Sequence, residues 1–172
     1  MSRLKLFLPL LAFVALAGLL YRGLALDPTA LPSARLGSAL PNFNLTELHS
    51  EELLSPSQMP DGPYLLNVWA TWCYSCRVEH AFLRDLSDRG VAIIGLNYKD
   101  DRAAAQQWLA DLGDPYGLTL FDPQGTLGLD LGVYGAPETY VIDQQGAVAY
   151  RHVGIVDEQV WERTLSRYWG EP

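Results

Sequence analysis

The chain has 172 residues, 49% of them apolar, with a formal net charge of −8 and two cysteines. That length admits one globular domain with a sizeable core plus an appendage. Three of the 12 basic residues, Arg3, Lys5 and Arg22, precede Asp27, so residues 27–172 carry nine bases against all 20 acids, a formal −11 that makes this body a poor ligand for nucleic acid or anionic lipid.

The appendage comes first. Ser2-Arg3-Leu4-Lys5 brings two positive charges, and Leu6 to Tyr21 then runs sixteen residues without a charge. Such a segment is either a cleaved signal peptide or an uncleaved anchor. Leu19 and Leu20 continue the apolar run beyond the small-residue site Ala15-Leu16-Ala17, which favours an uncleaved single-pass anchor over residues 1–26. With Arg3 and Lys5 retained in the cytoplasm, the body faces the far side of the inner membrane, the periplasm in a bacterial cell. Residues 27–40, with Pro28, Pro32, Gly37 and two serines, read as a tether. The folded domain is expected over 41–172.

Within the domain, strand and helix alternate. Strands are expected at Phe43 to Leu48, Tyr64 to Ala70 and Val91 to Tyr98, and a helix at Cys73 to Arg89 with Val78, Phe82, Leu83 and Leu86 as its apolar face. Two apolar strands joined by a helix imply a parallel βαβ unit. A second helix follows at Asp101 to Leu112, ended by Gly113-Asp114-Pro115, then an extended piece at Leu118 to Phe121. Thr139 to Asp143 and Ala147 to His152 read as a hairpin, and Asp157 to Trp169 as a closing helix. The fold class is α/β, a central mixed sheet flanked by helices.

The chemistry concentrates at Trp72-Cys73-Tyr74-Ser75-Cys76, where a buried strand meets a helix. Two thiols three apart close on each other when the backbone turns as in the first turn of a helix. Unpaired N–H groups and the positive dipole end bias the first thiol toward thiolate, so Cys73 is the attacking thiol and Cys76 the resolving one. The competing readings are weaker. A static disulfide over so short a loop removes little unfolded-state entropy, and a structural zinc site normally takes four ligands. Arg77 stands where haem attachment through the second cysteine requires histidine.

Other residues carry two readings each. Pro137 is either an ordinary trans proline at a strand start or a cis turn beside the dithiol. Glu79 and His80 lie three and four residues after Cys76 on the same side of the expected helix, where a carboxylate near the thiols opposes thiolate formation yet can relay a proton; the plain alternatives are a solvated acid and a surface histidine. Asn67, in an otherwise apolar strand, is either a hydrogen-bonded core amide or part of the site. Trp72 either packs in the core or offers a flat surface to a peptide.

Three segments carry a resemblance. Asn67-Val68-Trp69-Ala70-Thr71-Trp72-Cys73 with Arg77-Val78-Glu79-His80, then Gly95-Leu96-Asn97-Tyr98-Lys99-Asp100, and Gly132-Val133-Tyr134-Gly135-Ala136-Pro137-Glu138-Thr139-Tyr140 resemble the membrane-anchored DsbE/CcmG family, thioredoxin-like thiol:disulfide interchange proteins of cytochrome c maturation. The resemblance implies a thioredoxin-like fold, a cis-proline at Pro137 and a periplasmic reductant with an acidic active site. Its catalytic residues would be Cys73, Cys76, Glu79, Pro137 and Glu138, with Trp72, Tyr74, Ala136 and Pro137 meeting the substrate, and no cofactor or metal beyond the redox dithiol. Glu79, Pro137 and Glu138 would form an acidic docking surface, and Glu79 would take the proton-handling role of the buried aspartate that ordinary thioredoxins have at the position of Asn67. The implied partners are a membrane thiol donor of the DsbD or CcdA kind and apocytochrome c or an intermediary thiol protein. The chain departs from the family at Tyr74-Ser75, where Pro-Thr is common, so a reduction potential cannot be carried over. Two alternatives remain, a copper chaperone using Cys73, Cys76 and one of His49, His80 or His152, and a general periplasmic reductase.

Overall fold

The computed structural model describes residues 4–24 and 36–170, and the chain divides into two units, residues 1–31 and 32–172. The first holds helix α1, Leu4–Leu24, with Pro9 inside it. Its described apolar side chains, Phe7, Leu11, Phe13 and Leu19 among them, are exposed. Among the described residues no helix is long and apolar enough to cross a membrane, the side chains at 4–6, 8, 23 and 24 lying outside that set.

The second unit is built on seven strands, β1 Leu45–Glu47, β2 Leu53–Leu54, β3 Tyr64–Trp69, β4 Ile93–Tyr98, β5 Leu118–Asp122, β6 Glu138–Ile142 and β7 Val148–Val153. They form one sheet in the order β2-β1-β5-β4-β3-β6-β7. β3, β4 and β5 run parallel, while β6 pairs antiparallel with β3, β7 with β6 and β1 with β5. The crossovers are α2 Tyr74–Asp88 and α3 Arg102–Leu112; α4, Thr126–Leu131, precedes β6. A helical run closes the domain, α5 Glu158–Val160 continuing through a π turn at Trp161–Leu165 into a 3-10 turn at Ser166–Tyr168.

Every residue of β3 and β4 is buried, as expected of central strands covered on both faces. Alternation along β3 sends Leu65 and Trp69 into the core under α2, with Cys73, Cys76, Leu83 and Leu86, and sends Tyr64, Leu66 and Val68 into a second core with Leu127, Leu131 and Tyr140. Asn67 shares the parity of Leu65 and Trp69 and therefore belongs to the α2 side. This placement builds the site.

Several expectations shift. The strand expected at Phe43 to Leu48 contracts to β1, and β2 and α4 are additional; α4 spans six residues between left-handed glycines Gly125 and Gly132. Of the tether, residues 27–35 lie outside the described set, but its last residues are fixed to the domain. Gly37 N–H donates to Val148 O at 2.9 Å, Val148 N–H to Ser38 O at 2.9 Å, and Ala39 bridges Ala147. The folded structure thus starts ahead of Pro41. On α2 the buried stripe is Cys76, Glu79, His80, Leu83 and Leu86, while Val78 is exposed and Phe82 half-buried. The apolar pattern puts Val78 inward, but two polar side chains that hydrogen-bond to distant partners, Glu79 and His80, occupy the inner face instead.

Candidate active site

β3 ends at Trp69, and the chain turns through Ala70-Thr71-Trp72 into α2. Asp100, in the loop after β4, fixes that turn. Its two carboxylate oxygens accept from Thr71 N–H and Thr71 Oγ1, both at 2.6 Å, and the Asn97 amide adds a third donor at 3.0 Å. The Trp72 indole N–H donates to Lys99 O at 3.0 Å, which holds a ring that is 56% exposed.

Cys73 is the N-cap of α2, with extended backbone and a sulfur that accepts the Cys76 N–H at 3.0 Å. Cys73 and Cys76 form a disulfide with Cα atoms 5.3 Å apart, and both are buried, Cys76 the more deeply. On reduction the same N–H is available to a Cys73 thiolate, a charge-assisted bond that adds to the helix N-terminus. Tyr74 is 80% exposed beside it.

Pro137 comes to this end of the sheet through strand pairing. Val68, next to the end of β3, is in register with Glu138, and the residue before Glu138 follows a cis Ala136–Pro137 peptide. Ala136 packs on the core cluster that contains both cysteines. Tyr134, Ala136, Pro137, Val153 and Gly154 line a shallow groove of about 300 Å³.

Beneath the dithiol lies a sealed polar cluster. Glu79, one turn beyond Cys76, is 1% exposed; its Oε1 accepts from Asn67 Nδ2 at 3.0 Å and its Oε2 from Val156 N–H at 2.9 Å. Burial pushes its pKa up to about 7, against the lowering effect of those two donors. Asn67 Nδ2 also donates to Thr139 Oγ1 at 3.0 Å, and Asn67 Oδ1 accepts the Tyr116 hydroxyl at 2.9 Å. Burial raises the Tyr116 phenol well above its ordinary pKa, with the charge of Glu79 adding to the effect.

Glu138 is equally buried, at 1% exposed, but on the other face of the sheet, sharing the parity of Tyr140. Its Oε1 accepts from Tyr134 N–H at 2.8 Å, and its Oε2 from the Tyr140 hydroxyl at 3.0 Å and from Arg151 Nε at 2.9 Å. Arg151 Nη2 completes the ion pair at 2.8 Å, and the guanidinium lies over the exposed Tyr134 ring, 4.7 Å from its centre. The expected acidic docking surface is therefore corrected: both carboxylates are enclosed and face opposite layers, and Glu138 shapes the loop before Pro137 from behind.

His80, expected at the surface, is buried. Its Nε2 is 2.7 Å from Gly113 O, so Nε2 carries the proton, and its ring stands edge-on to Trp108. Burial holds its pKa below the ordinary value, with the Gly113 carbonyl acting in the opposite sense. Of the other histidines, His49 pairs with Asp114 at 3.5 Å and His152 Nε2 is 3.1 Å from Ile155 O. Among the described residues no cluster of histidine, cysteine and carboxylate side chains is placed to hold a metal ion.

Tyr116, Thr139, Asp100 and Arg151 complete the site, and sequence reasoning did not single them out. Their partners lie far along the chain, Asn67 from Tyr116 and Thr139, Thr71 from Asp100, Glu138 from Arg151, and no local spacing reveals such pairs. Asp100 and Thr139 lie within the family-like segments, the one signal in the sequence that points toward them.

A cysteine-capped helix carrying a dithiol, with a cis-proline across the strand end, is the arrangement of a thiol:disulfide exchanger. Residues 35–167 match the Redoxin family. The thiol:disulfide interchange protein DsbE of Pseudomonas aeruginosa is 52% identical over 167 residues, covering 96% of this chain and 93% of the relative. The chain belongs to the DsbE family. The DsbE of Escherichia coli is 48% identical over 176 residues, covering 98% of this chain and 95% of its own. Among solved structures, a DsbF homologue from Corynebacterium diphtheriae superposes with a TM-score of 0.66 at 23% identity, covering 83% of this chain and 96% of that one, a likeness of fold. The domain is thus a thioredoxin-like α/β fold, and the chain is a thiol:disulfide oxidoreductase.

Proposed function

We propose that this DsbE-family chain is a membrane-anchored reductant, facing the periplasm, that delivers electrons to the haem-binding cysteines of apocytochrome c or to an intermediary thiol protein. The observation that carries the reductant reading is Glu79. A dithiol working as a reductant must release the Cys76 proton on each turnover, and the buried carboxyl one turn away, with a pKa of about 7, is matched to accept it near neutral pH.

The Cys73 thiolate attacks one sulfur of the substrate disulfide, forming a mixed disulfide and expelling the other substrate sulfur as thiolate, which takes a proton from solvent. Pro137, Ala136 and the exposed Trp72 and Tyr74 rings border the place where that intermediate sits. Cys76 passes its proton to Glu79, attacks Cys73 and releases the second substrate thiolate. The substrate gains two electrons and the chain is left with the Cys73–Cys76 disulfide. A membrane dithiol of the DsbD or CcdA kind returns it to the reduced form.

Residues 1–26 form the anchor in this reading. What supports it is the charge-free run from Leu6 to Tyr21 behind Arg3 and Lys5, together with the exposure of the described apolar side chains of α1. Residues 27–40 tether the domain near its electron donor, which raises the effective concentration.

Deleting the gene tests the pathway. Loss of c-type cytochromes, restored by added dithiothreitol, is the expected result; unchanged cytochromes would remove the cytochrome assignment. Robust reduction of insulin by the chain would favour a general reductase instead.

A further inference from the structure

We infer that Tyr116 is a positioning residue for the dithiol's buried acid: its hydroxyl holds the Asn67 amide with nitrogen toward Glu79, and so governs how readily Glu79 takes up a proton. This rests on the reading of Glu79 given above and extends it to residues outside the dithiol helix.

An ionised carboxylate accepts hydrogen bonds and donates none. Glu79 Oε1 is therefore served by Asn67 Nδ2 and would be opposed by Asn67 Oδ1. The two ends of a primary amide have nearly the same shape, so some neighbour must choose between them. Nδ2 has two protons, and both have acceptors, Glu79 Oε1 and Thr139 Oγ1, each at 3.0 Å. On the opposite side Oδ1 accepts the Tyr116 hydroxyl at 2.9 Å. Without that hydroxyl, Oδ1 becomes a buried carbonyl lacking this donor. The amide also loses the polarisation that this donor gives it and the restraint that holds Nδ2 on Glu79, so the carboxylate form of Glu79 is served less well and the protonated form is favoured.

Tyr116 is itself rigidly placed. Its N–H donates to Asp114 Oδ1 at 2.9 Å, and its ring stacks on Trp69 at 5.6 Å between centres. Gly95 makes room for this packing. A Cβ there would lie 2.6 Å from Thr119 Oγ1, 2.9 Å from Trp69 Nε1 and 3.1 Å from Tyr116 Cδ2. The titratable groups around Glu79 are Tyr116 with Asp114 behind it, from the α3–β5 loop, and Cys76 and His80 from its own helix. β3 supplies Asn67, β6 supplies Thr139, and the loop after β7 supplies the Val156 N–H.

The test titrates the Glu79 carboxyl by carbon NMR in the full-length oxidised chain in detergent micelles, with the resonance assigned by its absence in Glu79→Gln. Tyr116→Phe is expected to raise the midpoint by about half a unit to one unit, a three- to tenfold tighter hold on the proton. Thr139→Val, which removes the second Nδ2 acceptor, is expected to shift it the same way, and Thr139→Ser to leave it unchanged. Midpoints in Tyr116→Phe and Thr139→Val equal to the unsubstituted chain, whatever their melting temperatures, would overturn the inference. Because the oxidised chain has no thiol, this outcome is independent of whether Glu79 serves Cys76, which is read from the pH dependence of exchange in Glu79→Gln.

Discussion

Glu79 and Glu138 are two glutamates of one domain, both 1% exposed and both multiply hydrogen-bonded, yet they sit in different electrostatic settings. Glu138 faces a guanidinium. Arg151 Nη2 lies 2.8 Å away, and the pair is enclosed by Tyr134 and Tyr140. Glu79 has an amide and a backbone N–H but, among the described residues, no cation as a partner, so burial dominates and raises its pKa to about 7. Enclosure alone does not make an acid chemically active. The presence or absence of a matching charge decides whether a buried carboxyl is a strut or a proton acceptor.

The comparison can be broken from either side. The largest effect is expected for Glu138→Ala, which leaves Arg151 buried without its counter-ion and removes the acceptor for Tyr134 N–H. A loss of about 3–5 kcal/mol in urea denaturation follows from unpairing a buried charge. A loss below about 1 kcal/mol would mean that the pair is not structural.

Glu79→Gln should act in the opposite direction, and only at higher pH. A folded pKa of about 7 against an ordinary 4.5 means that the folded chain keeps this proton after the unfolded chain has lost it. Stability therefore falls as pH rises between those two values and stays lowered above them. Glu79→Gln removes this loss, so its stability relative to the unsubstituted chain should be unchanged at pH 4 and rise by up to about 3 kcal/mol by pH 8, less what its amide loses against the Val156 N–H. A pH-independent difference would contradict the raised pKa.

A third carboxylate sharpens the contrast. Asp100 is half-buried and accepts from Thr71 twice and from Asn97, without a cation among these donors. Asp100→Ala should cost about 1–2 kcal/mol in the same denaturation experiment, by leaving donors unpaired at the approach to the dithiol. Smallest of all is Tyr74→Ala. Its ring is 80% exposed, so stability should change by less than about 0.5 kcal/mol while the rate of exchange with a disulfide peptide falls.

The parts of this picture that were legible in the sequence are those with local signatures. The run Tyr64 to Trp69, the cysteine spacing and the stop at Gly113-Asp114-Pro115 each announce themselves within a few residues, and β3, α2 and α3 follow closely. The faces were harder. Val78 fits an apolar stripe, but the inner face of α2 went to Glu79 and His80, whose partners Asn67, Val156 and Gly113 lie 12, 77 and 33 positions away. The same distance hid Tyr116 and Arg151, and with them the difference between the two acids. A motif can name two glutamates; only the fold shows that one is paired with a cation and the other is not.

The most direct test of the account is the pH dependence of a single turnover, with the reduced full-length chain mixed with a disulfide peptide and the formation of the Cys73–Cys76 disulfide followed. The unsubstituted chain should show an inflection near neutral pH that Glu79→Gln lacks, whereas Glu138→Gln, where it folds, should retain it. The same inflection in Glu79→Gln would contradict the claim that the buried carboxyl accepts the proton of Cys76.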